Sequence, residues 1–108
     1  MYVERHFNYI HITFEASEGV EYTIIIRCTQ EDGRIKVFVE QERMHLGNKL
    51  YIFEPGSGRS EILPLKGPEP FEIHFVSESE MEKLVRERGI DRKKCLNEAL
   101  EKANEMVS

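Results

Sequence analysis

The chain has no tryptophan, and among its 108 residues only two are cysteine, two glutamine and two aspartate. It also lacks any long apolar run. Each shortage removes a class of function. A membrane-spanning helix needs about 20 consecutive apolar residues, and nothing here approaches that. The opening stretch, MYVERHFNYIHI, carries charges within its first six positions and shows no apolar run ahead of a small-residue cleavage site. Neither a spanning segment nor a secretory signal is expected, and no membrane partner. Cys28 and Cys95 stand far apart and form no CxxC pair, so two reduced, buried thiols in a cytoplasmic protein are expected. His6, His11, His45 and His74 fall into no HxH, HxxxH or HExxH spacing. No metal ion or other cofactor is called for, although strands could still bring two histidines together.

Basic charge is short as well. Fifteen Lys and Arg face twenty Asp and Glu, for a net charge of −5, which excludes a surface that grips nucleic acid or anionic lipid over its whole area. Glutamate dominates the acids, and a charged, amide-poor composition is a hyperthermophile tendency.

What is present is enough for one folded domain over residues 1–108: 40% hydrophobic and 32% charged residues, with no internal repeat and no low-complexity tract. Residues 1–76 read as the β part. Phe7 to Phe14 alternates, with Ile10, Ile12 and Phe14 on one face and Tyr9, His11 and Thr13 on the other. After a turn at Glu18-Gly19, Val20 to Thr29 is a β-branched run with Val20, Tyr22, Ile24, Ile26 and Cys28 together. Asp32-Gly33 supplies the positive φ values of a type I′ hairpin and joins that run to a strand over residues 34–42. A second turn at Gly47-Asn48 leads into Lys49 to Phe53, and short strands are expected at Ser60 to Leu63 and Phe71 to Val76.

The period then changes. Ser77 or Ser79 can cap a helix with Glu78, Glu80 and Glu82 in its first turns, Gly89 ends it, and Asp91 caps a second helix to about Val107. Residues 77–108 are therefore a helical hairpin. The fold class expected is α+β: about six antiparallel strands in a meander, whether open or strongly bent or barrel-like, with the C-terminal helices packed on the sheet. That layout resembles the pleckstrin-homology superfold as topology alone.

Four groups of residues are candidates for function. The loop Ser57, Gly58 and Arg59 offers backbone N–H groups, a hydroxyl and a guanidinium to an anion. Cys95, beside Lys93 and Lys94, is the thiol more open to activation, with packing as its expected job. Lys83, Arg86, Arg88, Arg92, Lys93 and Lys94 make a basic patch against Glu87 and Asp91, suited to phosphates or an acidic partner. Leu96, Ala99, Ala103 and Met106 line one helix face, with alanines small enough for close helix approach. This face, or the partly aromatic second sheet face with Tyr9, Ile25 and Phe38, is the candidate oligomer interface.

A strand at Phe71 to Val76, a short helix, and then RGIDRKKCLNEAL at residues 88–100 resemble the strand–helix–turn–helix of ribbon-helix-helix DNA-binding proteins. The resemblance covers roughly the last 38 residues and implies a groove-facing ribbon with the second helix opened by the Gly89 turn. No catalytic constellation is legible. The function expected is a non-catalytic protein–protein interaction or homo-oligomeric assembly module whose partner is a second copy of itself or another protein. A nucleic-acid-binding regulator using residues 83–94, and a small-ligand protein or small enzyme with a site between sheet and helices, are the competing readings.

Overall fold

Four two-residue turns lay five strands side by side before any long-range contact is needed. The computed structural model describes residues 1–56 and 72–108; Ser57, Gly58, Arg59 and the strand expected at Ser60 to Leu63 lie outside the described residues. The strands are β1 (Tyr2–His6), β2 (Tyr9–Ser17), β3 (Val20–Glu31), β4 (Arg34–Leu46), β5 (Lys49–Phe53) and β6 (Glu72–Phe75), followed by α1 (Glu78–Glu87) and α2 (Arg92–Val107). They form one sheet in the order β1-β2-β3-β4-β5-β6. At the central turn Asp32 has φ 51° and Gly33 φ 74°, the paired left-handed conformation that Asp-Gly adopts at low cost.

The sheet departs from the sequence reading in two ways. β1 is an additional edge strand, and its charged residues Glu4, Arg5 and His6 conceal the alternation that Val3 begins. β6 runs parallel to β5, not antiparallel. Direction is a property of the connection, and residues 54–71 are long enough for the return that a parallel pair requires. Of the open and the bent or barrel-like forms that the sequence allows, the sheet takes the open one, with β1 and β6 as its edges.

A β-bulge decides which way the middle of β4 faces. Ile26 pairs with Val39 and Ile25 with Gln41, so Glu40 has no cross-strand partner. Before the bulge Val37 and Val39 point to the helix side; after it Glu42, Met44 and Leu46 do, because one extra residue inverts the side-chain parity.

The helices start and stop where the sequence reading puts them. Ser77 caps α1 in a reciprocal capping box with Glu80, and those Ser77 hydrogen bonds hold the Glu80 carboxyl below its usual range. Gly89, at φ 73°, follows the Arg88 cap, and Asp91 accepts from the Lys94 backbone N–H to start α2. Both helices cover one sheet face. Their buried residues Met81, Val85, Cys95, Ala99 and Ala103 meet Ile10, Ile12, Tyr22, Ile24, Ile26 and Met44. On the opposite face Ile25, Leu50 and Ile52 are buried too. Among the described residues no helix is long and apolar enough to cross a membrane.

Candidate functional site

The most developed polar constellation is built around an acid that the bulge turns inward. Glu42 is 2% exposed on the helix side of β4, where a lone carboxylate would be costly. Arg92, the first residue of α2, answers it with a fork: Nε donates to Oε1 and Nη2 to Oε2, each at 2.7 Å. Tyr22, fully buried on β3, donates its hydroxyl to Oε1 at 2.5 Å. The same guanidinium reaches two acids of α1, Glu78 at 3.1 Å and Glu82 at 3.3 Å, and lies 6.0 Å from the Phe53 ring centroid. One cation thus ties sheet, α1 and α2 together. Paired fork geometry of this kind is the strong form of the ion pair.

The electrostatics follow from that arrangement. The hydrogen bonds to Glu42 hold Arg92 firmly protonated. Burial first, and the Glu42 charge second, push the Tyr22 phenol above its ordinary range. An unfolded tyrosine ionises near pH 10, so above about that pH the unfolded chain loses its proton while Tyr22 in the fold keeps one, and stability falls as pH rises. Tyr22→Phe is expected to cost about 1 kcal/mol at neutral pH and to flatten the alkaline decline. Urea midpoints at neutral and alkaline pH check this; parallel declines in both proteins would refute it.

A second polar row lies on the far face. Arg43 donates from Nε to Gln41 Oε1 at 2.8 Å, and Gln41 Nε2 donates to Glu54 Oε1 at 2.8 Å. Burial pulls the Arg43 guanidinium down to about 10 against the opposing pull of Glu54, which leaves it charged at neutral pH. At the β1–β2 edge the His6 and His11 rings come within 4.3 Å, with Glu4 against His6 at 3.1 Å. Yet no group of three or more His, Cys, Asp or Glu among the described residues is placed to hold a metal ion.

No protein-family model, no curated protein and no solved structure matches the chain.

The sequence candidates fall in different places. Ala99 and Ala103 are fully buried against the chain's own sheet, with Leu96 and Met106 half-buried at the margins of the same core. Of the basic residues, Lys83, Arg86, Arg88, Lys93 and Lys94 are exposed, but Arg92 is turned inward among three carboxylates. The exposed patch is poorer in charge than the sequence suggests. β6, the ribbon of the family resemblance, pairs with β5 and presents Glu72 hydrogen-bonded to His74. Cys95 is 8% exposed, and burial pushes its thiol up, the reverse of an activated nucleophile.

One surface stands out by being unfinished. β3 and β4 run on past their neighbours: β2 stops pairing at Arg27, and β5 covers β4 only over residues 42–46. β5 ends at Phe53 and Pro55 follows, a residue with no N–H to extend a ladder. Along residues 34–41 the outer backbone edge of β4 therefore has no strand beside it among the described residues. Ile35 and Phe38 on this ribbon remain 47% and 43% exposed.

Proposed function

We propose that the chain is a non-catalytic assembly module whose partner is a second copy of itself, docked at the β3–β4 ribbon. The observation that carries this reading is the stretch of β4 over residues 34–40 that has no strand beside it among the described residues, with exposed Ile35 and Phe38. An extended strand edge with apolar side chains is a ready template for strand addition. The other polar clusters give less to a partner, because Tyr22, Glu42 and Arg92 spend their hydrogen-bonding capacity on one another. Assembly is expected in the cytoplasm, without a membrane or a cofactor.

Mass by light scattering at low and high salt, with and without added duplex DNA, tests the reading. The expected result is a dimer that persists in high salt and ignores the DNA. A monomer at every concentration would overturn it. A salt-sensitive mass increase on adding DNA would instead favour a nucleic-acid regulator acting through the exposed cations of residues 83–94.

A further inference from the structure

We infer that the corner between α1 and α2 is a docking surface for a short acidic segment of a partner protein, held by Arg86, Arg88, Lys93 and Lys94. This surface belongs to the helix layer and goes beyond the contact at the β3–β4 ribbon. All four side chains are exposed, and none forms an ion pair or a side-chain hydrogen bond among the described residues. The acids between them are already engaged: Glu87 lies 4.0 Å from Lys83, and Asp91 accepts from the Lys94 backbone N–H. Elsewhere on the surface cations do find partners, as Lys36 does in Glu31 and Lys102 in Glu105. In a chain this rich in glutamate, four unpaired cations within nine residues of sequence mark a surface left open to an anion.

Two of the cations stand where the fold has no use for them. The N-terminal end of a helix carries partial positive charge and favours acids, yet α2 opens on Arg92, Lys93 and Lys94 with no acid in its first turn. Arg92 is offset by Glu42, Glu78 and Glu82. Lys93 and Lys94 have no such compensation, and an incoming carboxylate supplies it. Arginine takes a carboxylate through two parallel hydrogen bonds, so Arg86 and Arg88 can orient the segment while the lysines add point charge.

The flanks of the corner limit the length of the ligand. Glu78 and Glu80 precede it on α1, and Glu98, Glu101 and Glu105 follow it on α2, all exposed. Duplex DNA, with its closely spaced phosphates, brings negative charge over those acids as well as over the cations. A short acidic segment ends before reaching them. Exposed ion pairs contribute little each, so the docking is weak and falls with salt.

The test is fluorescence anisotropy of a labelled peptide of alternating Glu and Gly, titrated with the full chain at low and high salt. Binding is expected at low salt, weakened about tenfold or more at high salt, and absent for the same peptide with Gln in place of Glu. Arg88→Gln/Lys93→Gln/Lys94→Gln should weaken binding about tenfold. Arg34→Gln/Lys49→Gln, which removes exposed cations elsewhere, should bind as wild type does. No binding at low salt, or equal loss in both variants, overturns the proposal. So does duplex DNA that binds more tightly than the peptide and displaces it, which assigns the corner to nucleic acid. Lys93→Glu/Lys94→Glu supplies a second measurement: it suits the helix end, so Tm is expected to stay level or rise while peptide binding is lost. Binding retained by that variant, or a Tm below wild type, overturns the proposal.

Discussion

Placing a charge on the buried side of α2, as Ala99→Asp or Ala103→Asp, is expected to destabilise the fold itself and not merely an assembly. Both alanines have no exposure and lie between the helix and the sheet strands that carry Ile10, Ile12, Ile24 and Ile26. A carboxylate there has no partner, loses its hydration, and needs more room than a methyl group leaves. The combined cost exceeds about 4 kcal/mol, a large share of the 5–15 kcal/mol that holds a typical domain together. Thermal melts followed by circular dichroism should show Tm lowered by about 15 °C or more, or no cooperative transition. A variant that melts like wild type but has changed its oligomeric state would mean that this helix face is exposed and serves as the interface.

Arg92→Ala is expected to cost about 3–5 kcal/mol, the usual penalty for removing one member of a buried ion pair. The loss is large because Glu42 keeps only the Tyr22 hydroxyl, and because Glu78 and Glu82 lose the contact that fastens α1 to the rest. Glu42→Leu should cost less, since Arg92 is 13% exposed at its side chain and retains Glu78 and Glu82. The double variant Glu42→Leu/Arg92→Met should recover most of what Arg92→Ala loses, as apolar replacements of buried ion pairs often do. Urea unfolding of the wild type and these variants provides the comparison. Equal stability of Arg92→Ala and wild type would show that the fork contributes nothing.

Much of the architecture was legible in the chain. The Asp32-Gly33 hairpin, the Lys49–Phe53 strand, the Ser77 and Asp91 caps and the Gly89 stop follow from local chemistry that tertiary structure has no reason to override. The Glu42 cluster was not legible, because its members lie on four separate elements and only the bulge turns Glu42 inward. A signal for the bulge was present. The apolar positions of β4 are odd at Ile35, Val37 and Val39 and even at Met44 and Leu46, and a strand that changes parity must hold an extra residue. The same inward turn accounts for Arg92, which reads as one more cation of a basic run until its buried partner is known. The parallel course of β6 left no trace in its four residues, since strand direction is fixed by the connection before it.

The sequential strand order has a consequence for how the chain folds. From β1 to β5 every pairing closes across a turn of two residues, so each new strand costs little loop-closure entropy once its neighbour is in place. Such nearest-neighbour zippering shortens the search and favours fast folding. β6 is different: it must find β5 from a distance, and α1 and α2 follow it in the chain. The helical cover and its Arg92 clasp thus depend on the longest-range connection described in the chain, while the strands they cover pair through the shortest.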